Sequence, residues 1–194
     1  MPKNMFLLWG VEAGALHDAG LHAALADAGV RRLQLNVDDE PVAVAMRFGE
    51  FDEPVRAIVC TWDADPAAVR RALREVASEV HGYAVDERRR LDPPESWDGT
   101  RADALANVAI LRRPADLERE EWIRRWMVEH TPVAIRTQAT FGYVQNVVTA
   151  PSPTTRRGST PWWRSCSRAP GSPTCTRSTA AAATTPSCTA GSAS

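Results

Sequence analysis

The sequence of 194 residues predicts an α+β fold, in which an antiparallel sheet carries helices on one face. Three observations predict this class. Strand-like and helix-like stretches follow one another in the order strand, helix, strand, strand, helix, strand up to residue 91. The same pattern begins again after a proline-containing linker at 92–101. It stops near residue 150, so the sequence predicts one complete unit over 1–91 and an incomplete second unit over 102–150.

The first half of the first unit contains two strands around a helix. Residues 5–9 form a short apolar run, which predicts a buried strand. Residues 14–28 are rich in alanine and predict a helix with one apolar face formed by Leu16, Leu21 and Leu25. Residues 31–38 alternate apolar and polar side chains, which is typical of a half-buried strand.

The second half of this unit repeats the order with a stronger helix signal. Residues 55–62 predict another buried strand. Asp65 and Pro66 predict the N-cap and first position of a helix. The buried stripe of that helix is Val69, Leu73, Val76 and Val80. Residues 82–91 predict the last strand, and the stretch 40–54, bounded by prolines, predicts an ordered loop.

The second unit starts in the same way. Residues 104–111 predict a strand, 116–129 a helix with acidic residues in its first turn, and 141–148 a strand. Aligning His130 with His22 brings helix, turn and strand into register with the first unit. A complete second unit would need a further strand, helix and strand after residue 150.

The segment 151–194 has a different composition. It contains no Leu, Ile, Val, Met, Phe, Tyr, Asp, Glu or Lys. This composition predicts disorder, because so few apolar side chains cannot offset the entropy lost on ordering. A GC-rich gene translated out of frame has the same composition, and a one-base shift permits codons for the missing strand, helix and strand. We favour a frameshift, because the alternative frame supplies the missing half of the second unit. The alternative is a genuine low-complexity tail.

Charge and cysteine usage exclude several classes of function. The net charge is −1, and because the five arginines after residue 150 carry +5, residues 1–150 carry −6. An acidic body lacks the clustered cations that bind nucleic-acid phosphates. No stretch approaches the roughly 20 apolar residues of a membrane span. The lone body cysteine, Cys60, indicates a reducing compartment, so we expect a cytoplasmic protein without nucleic-acid or membrane partners.

The densest group of chemically capable side chains lies at the end of the second unit. Trp122, Trp126 and His130 are spaced four apart and share one helix face. Pro132 is expected to end this helix, which would place His130 at its C-terminus, where the helix dipole favours the imidazolium.

The following strand adds polar groups on both of its faces. Tyr143 and Gln145 lie on one face and Asn146 on the other. His130 and Tyr143 would form a proton-transfer pair, or polar anchors, in an apolar pocket. In the alternative interpretation the tryptophans are core, and His130 and Tyr143 bond to each other or to the backbone.

These residues also carry a resemblance. Trp-x-x-x-His-Thr-Pro at 126–132 and Tyr-Val-Gln-Asn-Val-Val at 143–148 resemble EthD-type domains, which are small dimeric α+β-barrel proteins first associated with bacterial alkyl-ether degradation. Residues 1–150 look like the tandem form, with two ferredoxin-like halves in one chain. The resemblance implies a barrel of face-to-face sheets with a small apolar cavity between sheet and helices, and it is compatible with a homodimer.

The resemblance implies a function but no defined reaction. It suggests binding or transformation of a small hydrophobic or aromatic molecule, as an accessory to an oxygenase or degradation pathway, with His130 as acid or base and Tyr143 as hydrogen-bond donor. The residues that would contact the molecule are Trp122, Trp126, Gln145 and Asn146. No cofactor or metal is expected. The alternatives are a non-catalytic binding or scaffold barrel and an inactive truncated product.

Overall fold

One curled antiparallel sheet, shaped as half a barrel, organises the chain. The structure is a computed structural model that describes residues 2–45, 51–95, 98–151 and 162–168. Three helical segments accompany the sheet in these ranges. The predicted α+β class is therefore confirmed. Within the same ranges, no helix has the length and apolar character needed to cross a membrane.

The sheet contains seven described strands. They are β1 Lys3–Trp9, β2 Arg32–Val37, β3 Ala57–Trp62, β4 Glu79–Leu91, β5 Leu105–Leu111, β6 Thr140–Pro151 and β7 Trp162–Arg168. Their order across the sheet is β2-β3-β1-β4-β6-β7-β5. Every neighbouring pair is antiparallel, so strand direction alternates from one edge to the other.

The helices begin where the sequence supplies an acceptor for their free N–H groups. In α1, Ala19–Asp27, the carboxylate of Asp18 accepts bonds from the N–H of Gly20 and Leu21. The predicted helix over 14–28 is therefore wrong at its start, because Asp18 caps α1 and residues Ala13–His17 form a separate 3₁₀ turn. Asp65 caps α2, Pro66–Arg74, as predicted. The predicted helical stripe is wrong at its end, because α2 stops at Arg74 and Val80 belongs to β4.

The third helical segment runs past the residue expected to end it. It consists of α3 Arg119–Arg124, a π-helical turn Arg125–His130 and α4 Thr131–Thr137. Pro132 lies in the first turn of α4, so the predicted helix end at this proline is wrong. A proline lacks an N–H and crowds the carbonyl one turn earlier, but the wider π-helical turn changes that bonding pattern. The hydroxyl of Thr131 also donates to the carbonyl oxygen of Trp126 at 2.9 Å.

The two faces of the sheet bury different residues. The helix-covered face of the first unit packs α1 and α2 onto β1, β3 and β4 through a cluster that includes Phe6, Leu8, Leu21, Val59, Val69, Leu73 and Val80. The opposite face carries a second cluster: Met5, Leu7, Trp9, Ile58, Cys60, Trp62, Tyr83, Val85 and Val148. Val108 and Ile110 of β5 pack against this second cluster, because the sheet curls. We call this second face the concave face.

Ion pairs hold the linker against the first unit. Arg101 makes two bonds to the carboxylate of Asp39, at 2.6 and 3.1 Å, just beyond the end of β2. Glu95 lies 2.7 Å from Arg89 and 3.8 Å from Arg32. The predicted loop over 40–54 contains one short 3₁₀ turn, Glu40–Val42, and its residues 46–50 lie outside the described ranges.

Part of the segment predicted to be disordered forms a strand. The backbone of β7, at Trp162–Arg168, pairs with β5 on one side and β6 on the other. The prediction of disorder is therefore not met at 162–168. Strand pairing uses backbone N–H and C=O groups, which a segment poor in aliphatic side chains still offers. Residues 152–161 and 169–194, on which most of the frameshift hypothesis rests, lie outside the described ranges.

Candidate functional site

The residues singled out by sequence lie on both sides of the sheet. Tyr143 and Gln145 of β6 point toward the third helical segment, where Tyr143 packs with Ala134 and Gln145 bonds to Thr131. Asn146 has the opposite orientation, on the same side as Val148 of the concave cluster. The predicted site is therefore divided by the sheet itself.

Trp122 and Trp126 fasten the third helical segment to β6. Their ring centroids are 5.2 Å apart with the planes tilted by 41°. Both rings are buried in one cluster with Met127 and Val147. Aromatic pairs of this geometry add to the free energy gained by apolar burial. The tryptophans thus occupy the position of core residues between helix and sheet.

A chain of hydrogen bonds joins β4, β6 and the π-helical turn. Arg90 Nε donates to Gln145 Oε1 at 2.9 Å, and Gln145 Nε2 donates to Thr131 Oγ1 at 2.9 Å. Thr131 Oγ1 in turn donates to the Trp126 carbonyl. Gln145 is fully buried, and this chain satisfies both ends of its amide. Arg90 and Thr131 were not among the predicted site residues, because in sequence they resemble a solvated basic run and a helix-ending turn.

His130 and Tyr143 have different environments. His130 is exposed at the last position of the π-helical turn, whereas Tyr143 has none of its surface exposed. Because the helix continues to Thr137, His130 does not lie at a helix C-terminus. The prediction that a helix dipole favours its imidazolium form is therefore wrong. In the first unit, the ring of His22 lies 2.8 Å from the Leu16 carbonyl oxygen.

A second group of polar residues lies on the concave face. Strand register places Trp62 of β3 directly between Lys3 of β1 and Arg32 of β2. Lys3 Nζ is 4.8 Å and the Arg32 guanidinium 4.7 Å from the Trp62 ring centroid. Cations at this range are attracted to the electron-rich face of an indole. The three side chains therefore form a cation–aromatic–cation row across three strands.

Glu87 of β4 extends this row. Its Oε1 lies 2.7 Å from Lys3 Nζ, and its Oε2 accepts a bond of 3.2 Å from Trp62 Nε1. Lys3 is 4 % and Glu87 18 % exposed. Burial by itself would raise the pKa of Glu87, but the charge of Lys3 and the bonds from Lys3 and Trp62 outweigh it and hold the pKa below its ordinary value. Glu87 is therefore an ionised, anchored carboxylate.

A cleft of about 540 Å³ opens above this group. Its walls include Arg32, Trp62, Val85, Asp86, Glu87 and Thr149. Asn146 and Val148 of β6 stand directly opposite Glu87 and Val85 of β4, so all four share the concave face. Asn146 is 1 % exposed, and no described residue donates a hydrogen bond to its Oδ1.

Cys60 is a buried member of the cluster on the concave face and lies two residues before Trp62. Burial raises the pKa of its thiol, and the charge of Glu87 acts in the same direction, against that of Lys3. A buried neutral thiol behaves as a small apolar group. Cys60 therefore acts as one more apolar member of the buried cluster on the concave face.

The polar residues of the concave face are difficult to identify from sequence, because none of them forms part of a recognisable local motif. Lys3 precedes an apolar run, Trp62 ends one, and Glu87 belongs to a charged strand extension. The polar alternation of 31–38 is the one signal that points to it, since this pattern predicts a polar face for β2. Only strand register brings Lys3, Trp62 and Glu87 together.

The described side chains contain no cluster of three His, Cys, Asp or Glu residues able to hold a metal ion. A comparison with protein-family models, with curated proteins and with solved structures gives no match for this chain.

Proposed function

We propose that this chain is an EthD-type α+β-barrel protein that binds a small hydrophobic or aromatic molecule in the cleft of the concave face. The observation that carries the proposal is the cleft itself, of about 540 Å³. In its walls Trp62 and Val85 stand among charged and polar residues, which include Arg32, Asp86, Thr149 and the anchored Glu87. Binding sites for small molecules commonly have about 300–1,000 Å³ and combine apolar walls with a few oriented polar groups.

The strand order supports the tandem ferredoxin-like arrangement. The first unit has the order β2-β3-β1-β4, and the second has β6-β7-β5. If β5, β6 and β7 are matched with β1, β2 and β3, the two orders agree, and the second unit lacks only the counterpart of β4 among the described strands. The helix between β5 and β6 then corresponds to α1.

Strand direction supports a barrel that lacks one strand. Because the seven described strands alternate in direction, the two edge strands β2 and β5 run the same way. One more antiparallel strand between them would close the barrel, just as β4 joins the two units by pairing with β6. This is the strand that the truncated-product alternative would lack.

Binding without catalysis is the form of the proposal that the side chains favour. The expected acid–base pair consists of an exposed His130 and a fully buried Tyr143. Efficient proton transfer needs both groups within hydrogen-bond reach of the reacting atoms. Glu87, the carboxylate in the cleft, is already held in its ionised form by Lys3 and Trp62.

A titration tests the binding proposal. We expect 2-methoxynaphthalene to bind saturably in calorimetry with a 1:1 ratio. Thr149→Trp should weaken this binding at least about tenfold, because Thr149 is an exposed residue of the cleft wall and an indole would fill the space. Thr137→Trp is the matched control, at an exposed position on α4. Absent binding, or equal binding by both variants, would overturn the proposal.

An enzymatic role for His130 and Tyr143 is the second candidate function. It is favoured by the π-helical turn that ends at His130, since such turns are frequent at functional sites. In this candidate His130→Ala abolishes turnover of the bound aromatic molecule and leaves the melting temperature nearly unchanged. A large loss of stability in His130→Ala would instead indicate a structural histidine.

A further inference from the structure

Two of the described strands, β2 and β5, form the edges of the sheet, and each pairs with a described strand on one side only. Charged residues hold the linker against both ends of β2. Arg32 lies 3.8 Å from Glu95, and Asp39 accepts bonds of 2.6 and 3.1 Å from Arg101. Charges and covering segments of this kind protect an edge strand from pairing with another chain.

The edge strand β5 lacks such protection in its own sequence. Its seven residues, Leu105–Leu111, include no charged residue and no proline, and its pairing with β7 has no register shift. Val108 and Ile110 pack against the cluster of the concave face, and Leu111 packs against the cluster of Trp122 on the other face. The outer N–H and C=O groups of β5 therefore lie between apolar side chains, which favours the addition of another strand.

The sequence around β5 is complementary to itself in the antiparallel direction. When Val108 lies on a two-fold axis, Leu105 stands opposite Leu111 of the second copy. The same register places Asp103 opposite Arg113 of the second copy, and the symmetry repeats this pair. Asp103 and Arg113 are exposed, and neither forms an ion pair with another described residue. Arg113 donates to the carbonyl oxygens of Pro114 and Leu117 at the surface.

Neighbouring registers are less favourable. A shift by two residues in one direction places Arg113 opposite Arg101, and like charges directly opposite one another are destabilising. The same shift in the other direction places Arg113 opposite Leu105, so that its charge pair with Asp103 is lost. A shift by one residue brings together backbone groups that do not match and side chains of opposite faces. The register centred on Val108 is therefore favoured.

We infer that β5 pairs antiparallel with β5 of a second copy of this chain. The second copy then covers β5 on the side where a closing strand would otherwise lie. Because each copy uses the same strand, the contact is complete in a dimer and does not extend to a filament. None of the described residues that line the cleft belongs to β5, so the inference does not depend on the proposed binding function.

Sedimentation equilibrium of the full chain tests the inference. We expect a reversible monomer–dimer equilibrium in which the dimer is the main species at about 100 µM, as a weak interface gives. Asp103→Arg places two arginines opposite one another, and Arg113→Asp places two aspartates there. Each variant should weaken dimerisation at least about tenfold, because two attractive pairs per dimer become repulsive.

A mixture of the two variants separates direct pairing from a general loss of stability. In a heterodimer of Asp103→Arg with Arg113→Asp, both pairs again join an arginine to an aspartate. The mixture should therefore dimerise with an affinity near that of the wild type, and so should the double variant. Asp116→Arg is the matched control, because it makes the same charge change at an exposed position outside β5. Circular dichroism checks that every variant folds.

Each contrary result overturns the inference. A wild-type chain that stays monomeric up to about 100 µM would favour a strand of the same chain as the cover of β5. Association beyond the dimer would contradict the two-fold contact. Dimerisation that is unchanged in both single variants, that is not restored in their mixture, or that is weakened equally by Asp116→Arg would contradict the pairing of Asp103 with Arg113. Absence of ligand binding in the cleft, by contrast, would remove only the proposed function.

Discussion

Lys3 and Glu87 form an ion pair with 2.7 Å between Nζ and Oε1, reaching from the first residue of β1 to a part of β4 that extends beyond β1. The register pairs Lys3 with Val85, so Glu87 is the next residue of β4 on the concave face. Trp62 Nε1 binds the other carboxylate oxygen. The pair thus holds the polar end of the cleft in one geometry.

A double-mutant cycle should show strong coupling between Lys3 and Glu87. Removing one partner leaves a mostly buried charge alone, so Lys3→Met and Glu87→Gln should each lower the free energy of unfolding by about 2–4 kcal/mol. The double variant should lose less than the sum, with a coupling of about 1–3 kcal/mol. Urea denaturation measures it, and the exposed pair Arg88–Asp86 should couple far more weakly. Strictly additive losses would contradict the prediction.

The same ion pair should make the free energy of unfolding depend on pH in the acidic range. The pKa of Glu87 in the folded protein lies below the ordinary value of 4.5, so the folded state binds this proton less readily than the unfolded chain. The stabilisation is present above pH 4.5 and is lost as the pH falls through the folded pKa. Other carboxylates, such as Asp39, act in the same direction, so the comparison is between wild type and Glu87→Gln. Their difference in unfolding free energy should shrink below pH 4.5, whereas parallel curves would count against it.

Thr131 should be a sensitive position of the third helical segment. Thr131→Val removes the donor to the Trp126 carbonyl and the acceptor of Gln145 Nε2, which leaves two buried polar groups unpaired. We expect a loss of about 2–4 kcal/mol, because each such group costs about 1–3 kcal/mol. Thr131→Ser keeps the hydroxyl and should lose about 1 kcal/mol or less. Thr137→Val removes a similar bond, to Val133, at an exposed site, and a loss as large there would refute this explanation.

Gly142 should not tolerate a side chain. A Cβ at this position would lie 2.6 Å from Pro93 Cβ and 3.2 Å from Pro93 Cα, so β6 and the start of the linker would have to separate. We expect Gly142→Ala to lower the free energy of unfolding by about 1–3 kcal/mol, as overpacking usually does. Gly14→Ala is the control, because a Cβ there would meet nothing within 4 Å, and it should change stability by less than about 1 kcal/mol. Thermal unfolding of both variants checks the difference, and equal melting temperatures would contradict it.

Local patterns predict most of the elements but not all of their ends. The strands at 5–9 and 55–62 and the helix after Asp65 are visible because apolar periodicity and capping residues act within a few positions. Pro132 gives a misleading signal, since a proline usually ends a helix. Here a π-helical turn and the hydroxyl of Thr131, both outside any simple pattern, allow the helix to continue.

The candidate site is less predictable than the fold. Sequence spacing places Trp122 and Trp126 on one helix face and sets Asn146 apart from Tyr143 and Gln145, because both periods are local. Whether such a face of a helix or strand is covered by another element or exposed to solvent depends on how the elements pack together. The exposure of His130 and the complete burial of Tyr143 are consequences of that packing.

The sequence by itself determined the α+β class, the order of strands and helices, and the change of composition near residue 150. These properties follow from side-chain periodicity, capping and chain entropy, which operate over short stretches of chain. Only the tertiary structure decided that Lys3, Trp62, Glu87 and Asn146 share one concave face. Residues that lie between 25 and 143 positions apart along the chain are brought together by strand register, and no local pattern encodes register between distant strands.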